Sequence, residues 1–511
     1  MTNRQKIIDY SDLANFFNKI KKSKKQKIVT HCHGVFDLLH IGHIKHFKEA
    51  KNLGDILIVT ITADNYVKKG TNRPYFNENY RAEAISSLEF VDYVSIINDK
   101  SAVNAIKSIK PNYYCKGEDY KNLKQDITGK IHEEKKSVEK YGGKIFFTNE
   151  VTFSSSTLLN SNFNILSKQQ SFFIDKLKRK FNFNEIKTFI NNIKKSKPLI
   201  IGETIIDEYT FCDVIGKSGK EPVLVYRDLK TELYAGGSLA ISNHISGFCL
   251  NVNLISMLGQ ANEYLGFIKK NLNKNIKFSY ISKDNSQTIV KKRFIDKNNS
   301  NKLLGLYKFN DEQITKRNEK QLLSKINKII PKSDFVVISD YGHGFLSKFI
   351  IDKIKDNKTF LSVNAQINAS NVGFHSLNRY SKSNIVVINE TELRYELRNR
   401  DGNLDELIRQ LAKSLNIQYL IVTSGSSGVK LLNKKTNKIH FCPAFANKII
   451  DKIGAGDTLL AIITLLLFNK CDIDLALLIS SLCAAETVES IGNSNSVNSN
   501  GILKKIEHML K

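Results

Sequence analysis

In the first 160 residues, short apolar runs alternate with amphipathic stretches. Residues 27–32, 55–62, 93–97, 113–115 and 144–148 have the length and apolar content of strands. Residues 43–53, 79–90 and 102–109 between them carry helical spacing. The hydroxyl run at 154–157 offers caps to a last helix. Strands separated by helices predict a doubly wound, mostly parallel sheet with helices on both faces.

The pattern lapses from about 160 to 197 into a polar, Lys- and Asn-rich stretch with one helix expected at 184–193. It then resumes. Residues 198–202, 335–339, 359–363, 385–388 and 419–423 read as strands, and a helix should follow Gly456. A second three-layer α/β domain is expected. Residues 213–234 are rich in strand formers and suggest a small β lid. Residues 493–500, mostly Ser and Asn, read as a surface loop. The expected organisation is a domain at 1–162, a linker with lead-in helix at 163–196, and a domain at 197–511, with no internal repeat.

Composition agrees with this. A chain of 511 residues is too long for one ordinary core, and 41% hydrophobic with 25% charged residues suits a soluble globular protein. The longest apolar run, 458–468, is about half a bilayer span. The charged opening Met-Thr-Asn-Arg-Gln-Lys predicts no secretory signal. Seven scattered cysteines without a CxxC pair predict no disulfide framework and a cytoplasmic location. The net charge of +27 comes from lysines spread along the whole chain. That is compositional bias and not a focused patch, so neither nucleic acid nor membrane is expected as a partner. A basic field does favour polyanionic substrates such as nucleoside triphosphates.

Two clusters carry candidate chemistry. In the first, Gly34 allows a tight turn at a strand end, Phe36 and Asp37 follow, and His40 and His43 flank Gly42 at the mouth of a helix. Imidazoles and helix-terminal N–H groups would then converge on one anion. Transfer of a nucleotidyl group needs such donors around an α-phosphate that gains charge. Five of the eleven histidines lie between His31 and His46, with Cys32 among them. Alternate residues of a strand face opposite ways, and no second Cys/His cluster completes a zinc set. His31 and His33 are therefore expected in the core or behind the site, and His46 on the helix surface. In the second cluster, Gly454, Ala455 and Gly456 precede Asp457 and open an apolar helix. Converging N–H groups would bind a phosphate there, and Asp457 would take a proton from an attacking hydroxyl.

The first cluster resembles the cytidylyltransferase-like nucleotidyltransferase family. The resemblance rests on G-x-F-D-x-x-H-x-G-H, on Gly54-Asp55, on Arg73-Pro74 with Arg81, on Lys116-Gly117-Glu118-Asp119-Tyr120, and on Ser154 to Thr157. It implies that His40 and His43 stabilise the transition state. Gly34, Phe36, Asp37 and Gly42 would contact the nucleotide or its phosphates, Arg81 and Lys116 would hold phosphates or the nucleotide, and Ser155, Ser156 and Thr157 would cap the triphosphate.

Residues 197 to 511 resemble the ribokinase-like (PfkB-type) sugar kinases. The matching pieces are Gly202 with Asp207, Gly236-Gly237, Ser339-Asp340-Tyr341-Gly342-His343-Gly344, Asn389 with Glu392, Thr423 with Gly425 and Gly428, and Asp451 with Gly454 to Asp457. The resemblance implies that Asp207, Gly236 and Gly237 bind the sugar. Asn389 and Glu392 would organise Mg²⁺ indirectly, and Thr423, Gly425 and Gly428 would lie near ATP. Two departures stand out: Ala240 replaces a usual Asn, and Asn364-Ala365-Gln366 replaces D-P-K of the heptose kinases.

Taken together, the chain is similar to the bifunctional heptose kinase/adenylyltransferases of lipopolysaccharide-core synthesis, with the domain order reversed. This implies phosphorylation of a heptose-phosphate-like sugar by ATP and Mg²⁺. Nucleotidyl transfer from ATP or CTP to a sugar 1-phosphate would follow, with loss of pyrophosphate. The alternative is a nucleotidyltransferase whose kinase-like domain only binds or assembles. A homodimer is a further partner state the resemblance raises.

Overall fold

The structure, a computed structural model, describes residues 3–22, 26–67, 73–117, 130–148, 166–298, 301–368, 370–371 and 375–510. The chain forms two compact units, one of residues 1–168 with 503–511 and one of residues 169–502.

The first unit holds a five-stranded sheet of β1 Val29–Gly34, β2 Ile56–Thr62, β3 Tyr93–Ile97, β4 Tyr113–Gly117 and β5 Lys144–Thr148. The order is β3-β2-β1-β4-β5, with every neighbouring pair parallel. All seven β2 positions are buried, as a strand covered on both faces requires. Alternation along β2 sorts the core. Leu57, Val59 and Ile61 pack with Phe47 of α2 Ile41–Asn52 and with Ala82 and Ile85 of α3 Glu78–Ser86. Ile56 and Ile58 pack with Leu13 and Phe17 of α1 Leu13–Lys21 and with Ala105 and Ile109 of α4 Val103–Ile109. Strand order reverses around β1, so its carboxyl end is the crevice where such sheets bind ligands. The first strand runs two residues beyond the expected 27–32 and carries His33 and Gly34 with it.

The second unit has a nine-stranded sheet. Its strands are β6 Pro198–Gly202, β9 Val252–Gly259, β10 Ile276–Lys283, β13 Phe335–Asp340, β14 Phe360–Ala365, β15 Ile385–Asn389, β16 Tyr419–Thr423, β17 Val429–Asn433 and β18 Lys438–Cys442. They run in the order β10-β9-β6-β13-β14-β15-β16-β17-β18, parallel up to β16 and antiparallel at the last two. A separate four-stranded lid orders β12 Lys302–Lys308, β11 Ile289–Asp296, β7 Thr204–Lys217 and β8 Leu224–Gly237. The lid is larger than the expected 213–234, because β7 starts directly after β6 and two later strands join it. The helix Ala455–Phe468 buries every residue from Thr458 to Leu467 and packs on β13 to β15 and on the helices Ser238–Ser246 and Ile473–Val488.

Two expectations change. The Lys- and Asn-rich stretch read as a linker carries the helices Lys168–Lys178 and Phe183–Ile193. Their stripes, Phe173, Ile174 and Leu177, then Ile186, Ile190 and Ile193, are buried beneath a polar composition that masks them. Residues 493–500 are not simply a solvent loop: Val497 is buried and bonds through its N–H to His244, and Ser499 bonds to the Gly247 carbonyl. Among the described residues, no helix is long and apolar enough to cross a membrane.

Two candidate active sites

In the first unit the chain leaves β1 at Gly34, where an added Cβ would lie 2.9 Å from the Phe36 ring, and Phe36 itself has φ 49°. The turn delivers His40 to the N-cap of α2, where its Nδ1 accepts from Gly42 N–H at 3.1 Å. That bond places the ring proton on Nε2 in the neutral form. The His43 ring stacks on His40 at 3.8 Å between centroids and meets the edge of Phe36 at 5.1 Å. The sequence thus brings both imidazoles to one helix N-terminus, as expected.

Several neighbours have other work. Asp37, read as a nucleotide contact, is buried and accepts from Arg73 at 2.9 Å and from the Tyr75 and Phe76 N–H groups at 2.7 and 3.1 Å. Arg81, read as a phosphate holder, is buried and donates to the carbonyls of Phe76, Val35 and Thr62 and to Asp64. Both side chains brace the loops around the site, and their polar atoms face protein. His46 corrects another expectation: it is buried, with Nδ1 2.8 Å from Thr148 Oγ1. His31 and His33 both meet Thr60 Oγ1, at 2.7 and 2.9 Å, behind the site. Burial, reinforced by the His33 and Lys116 charges, holds His31 well below the usual imidazole range.

Lys116 is buried against Glu134 at 3.1 Å and lies over the Tyr114 ring. Glu134 also accepts from Tyr114 Oη and Ala102 N–H. Burial would raise its pKa, but the Lys116 charge and these bonds outweigh it and lower it. Glu118 to Tyr120 and Ser154, Ser155, Ser156 and Thr157 lie outside the described residues.

In the second unit the candidate residues gather at the carboxyl ends of the parallel strands and under the lid. Gly454 has φ +88°, and an added Cβ would lie 1.8 Å from Asn493 Oδ1. This left-handed turn opens the helix Ala455–Phe468, with Ala455 and Gly456 in its first turn. Asp457, one residue later and partly buried, accepts from Tyr341 Oη at 2.8 Å. Burial raises Asp457 to about 7; the Tyr341 bond and Lys291 oppose this and Asp207 adds to it.

The lid places the residues expected to bind the sugar by register. Asp207 on β7 lies opposite Tyr234 of β8 and Lys291 of β11, and Lys291 lies opposite Tyr307 of β12. Asp207 is buried and accepts from Arg293 at 2.5 Å. Gly236 is required beside it, since an added Cβ would lie 2.2 Å from Asp207 Oδ2. Gly237, at φ +58°, is the N-cap of the helix Ser238–Ser246. Asp451 ties the lid to the anion turn: it accepts from Tyr209 at 2.5 Å, Lys302 at 2.6 Å, and the Ile453 and Gly492 N–H groups.

Asn389 and Glu392 form a capping box, each side chain accepting from the other's backbone N–H at 2.8 and 2.9 Å. Burial raises Glu392 to about 7. A buried carboxyl so disfavoured as an anion fits a role beside a cation, with water between, since its oxygens already serve backbone donors. Asn389 and Thr423 are register partners on β15 and β16. Gly425 has φ +55° with open space beside it, and Gly428 has φ +99°. Ser424 donates to Glu390 at 2.7 Å, joining this loop to the capping-box helix. Of the two departures, Ala240 is buried within its helix, and Asn364 donates to the Val387 carbonyl at 2.8 Å, so its amide serves the sheet.

Sequence reasoning missed Glu203, Tyr341, Lys291 and Arg293 as parts of the site. Glu203 is fully buried and accepts from the Tyr341 and His343 N–H groups, fixing the turn after β13. The alternation of Lys291 and Arg293 along a strand was a legible signal, but the strand's place in the lid was not.

A doubly wound sheet, a β lid and an Asp at a Gly-initiated helix define a carbohydrate-kinase type of site. Residues 195–500 match the pfkB family carbohydrate kinase model, and residues 31–162 match the Cytidylyltransferase-like model. The chain belongs to the pfkB family of carbohydrate kinases, with a cytidylyltransferase-like domain ahead of the kinase domain. Among curated relatives, Bifunctional protein HldE of Campylobacter jejuni is 26% identical over 306 residues, 59% of this chain and 62% of the relative. The protein of the same name from Aliarcobacter butzleri is 42% identical over 141 residues, 27% of this chain and 29% of the relative. The Campylobacter jejuni match thus spans 62% of that relative's length. A solved phosphofructokinase-2 from Escherichia coli superposes with a TM-score of 0.49 and 15% identity, covering 62% of this chain and 99% of that one.

Proposed function

We propose that the chain is a bifunctional enzyme of nucleotide-sugar synthesis. The kinase unit phosphorylates a heptose-phosphate-like sugar with ATP, and the nucleotidyltransferase unit joins a sugar 1-phosphate to a nucleotide from ATP or CTP. One observation carries this reading. Each unit sets its candidate catalytic side chains at a helix N-terminus, His40 and His43 on α2 and Asp457 on Ala455–Phe468.

In the kinase step Asp457 takes the proton of the sugar hydroxyl as its oxygen bonds to the γ-phosphorus and ADP leaves. Asp207, Gly236 and Gly237 hold the sugar, and the N–H groups around Gly454 to Gly456 receive the transferred charge. Thr423, Gly425 and Gly428 line the ATP side. Mg²⁺, held through water near Asn389 and Glu392, would neutralise phosphate charge. In the nucleotidyl step the phosphate oxygen of the sugar attacks the α-phosphorus and pyrophosphate leaves. His40 and His43 stabilise the charge that develops, helped by the start of α2. Lys116 turns from Glu134 to a phosphate when the nucleotide arrives. Ser155, Ser156 and Thr157 are assigned to the triphosphate by family resemblance alone.

The enzyme works in the cytoplasm as a homodimer paired through the lid, whose Ile215, Leu224, Leu304 and Leu306 are exposed.

The test is a mass-resolved reaction of the full chain with Mg²⁺, ATP or CTP, and heptose 7-phosphate or heptose 1-phosphate. A bisphosphate from the first sugar and a nucleotide sugar from the second are expected. Asp457→Asn should abolish phosphorylation, by about 10³-fold or more, and spare nucleotidyl transfer. His43→Ala should do the reverse. If either variant, still folded, lost both activities, two independent sites would be ruled out. A nucleotide sugar without any phosphorylated sugar would leave only the nucleotidyltransferase.

A further inference from the structure

We propose that Tyr341, with the Lys291 ammonium seated over its ring, is a positioning couple for the Asp457 carboxylate. This rests on the kinase reading, in which Asp457 is the base. The hydroxyl of Tyr341 donates to Asp457 Oδ1 at 2.8 Å. That engages one carboxylate oxygen and leaves the other for the substrate hydroxyl.

The tyrosine is fixed from both sides of its own backbone. Its N–H donates to Glu203 Oε2 at 3.0 Å, and its carbonyl accepts from the side-chain amides of Asn368 at 2.7 Å and Asn371 at 3.1 Å. Its side chain is buried, so the hydroxyl is aimed by a rigid frame. Glu203 thereby acts on the base through Tyr341.

Lys291 is the unusual member. It is about nine-tenths buried, and among the described residues its ammonium forms no ion pair or hydrogen bond. It lies 5.1 Å from the Tyr341 ring centroid and 6.0 Å from that of Tyr307. A buried ammonium without a direct partner is costly unless nearby negative charge compensates it. Asp207, Asp457 and Glu203 all act on it, while burial and Arg293 oppose its charge. Its charge is therefore felt by both the carboxylate assigned to the sugar and the one assigned to deprotonate it. Its charge is a counterweight to a base that must be anionic where burial disfavours it.

The groups that act on Asp457 are Tyr341 from the turn after β13, Asp207 from β7 and Lys291 from β11, and its charge also reaches Glu392 on the capping-box helix. Tyr341 and Lys291 favour its charged form, and Asp207 disfavours it. Removing either member of the couple therefore moves the Asp457 titration upward.

The experiment uses the full chain labelled with [¹³C]carboxyl aspartate, titrated by NMR without substrate. The Asp457 resonance is assigned by its loss in Asp457→Asn. In Tyr341→Phe and in Lys291→Met the midpoint should rise by about half a pH unit or more. The kinase kcat should fall about 10- to 100-fold, with KM for ATP and sugar within about twofold and the acid limb displaced upward. Nucleotidyl transfer should be unchanged. An Asp457 resonance that titrates in both variants as in the parent would overturn the proposal. So would a Lys291→Met variant whose only defect is a raised KM for phosphorylated sugars, since Lys291 would then serve the substrate's own phosphate. Lys291→Met leaves the tyrosine in place, so it decides the matter if Tyr341→Phe proves unstable. If the parent phosphorylates no sugar, the kinase reading fails while the substrate-free titration still tests the couple.

Discussion

Asp457 and Glu392 are both raised to about 7 by burial, and the Asp457 charge adds to the rise at Glu392. In the proposed kinase step the consequence is a base, Asp457, poised near neutrality. Kinase activity should rise as pH increases through about 7, the free-enzyme pKa, and level off above it. Stability carries the opposite sign. The folded-state pKa lies above the ordinary aspartate value of 3.8, so the folded chain holds the proton more tightly than the unfolded chain. The stabilising contribution is full below the unfolded pKa and is lost as pH rises through about 7. Asp457→Asn should therefore raise the melting temperature at pH 8 relative to the parent, and by less at pH 5, as thermal melts would register. Equal differences at both pH values would show that burial does not oppose the charge. At this scale the sequence was legible where a side chain's job is local. His40 caps the helix it starts and Asp457 opens another, so motif spacing found both. His46 was misread, and the partners of Arg81 were not foreseen, because burial is decided by distant residues, Thr148 for the one and Val35 and Thr62 for the other. Lys291 was not singled out, and Tyr341 was known only as part of a motif, because their meeting with Asp457 is made by the tertiary fold.

The strand ends of the second unit show how glycines place side chains they do not contain. Gly236 pairs with Ile205 across the β7–β8 ladder, diagonal to Asp207, and an added methyl there would overlap an Asp207 carboxylate oxygen at 2.2 Å. Gly236→Ala should push Asp207 off Arg293 and raise KM for the sugar by about tenfold, while KM for ATP stays within about twofold. Steady-state kinetics with each substrate varied in turn checks this; a change in both constants would point to a general disturbance of the lid. Periodicity located the main-sheet strands because parallel strands are apolar throughout, as β6 and β13 show with every position buried. The lid was only partly legible. Its β12 is mostly exposed, and β7 and β8 change register at bulges near Phe211 and Val214, so no clean alternation marks them. The helix Phe183–Ile193 was found because its apolar positions recur at helical spacing. Lys168–Lys178 was hidden by lysines around the same kind of stripe.

At the scale of the molecule, a chain with two phosphate-handling units needs no shared core for its two chemistries. Strand and helix alternation, interrupted once, made the two α/β units readable, while assembly left no mark in the motifs. Assembly has to be argued from the surface. The lid carries Val214 and Ile215 at one end of β7, Val223 and Leu224 across the turn, and Leu304 and Leu306 on β12, all exposed. Tyr307, the residue after Leu306, instead reaches Lys291 and Arg293. Successive side chains of a strand point to opposite faces, so Leu304 and Leu306 lie on the side away from the sugar pocket. Apolar residues gathered on one lid, and not scattered singly, mark an interaction surface. A second copy of the chain presents the same residues, and self-pairing would remove them from water without new chemistry. Light scattering should give the mass of a dimer, about twice the 58.0 kDa chain. Replacing Leu304 and Leu306 together by Glu should yield a monomer, because charges would then face charges across the pair. The monomer should phosphorylate sugar with a raised KM, since the lid strands that carry Asp207 and Lys291 lose their support, and should transfer nucleotides as before. A parent that is monomeric at micromolar concentration would remove the lid as a pairing surface.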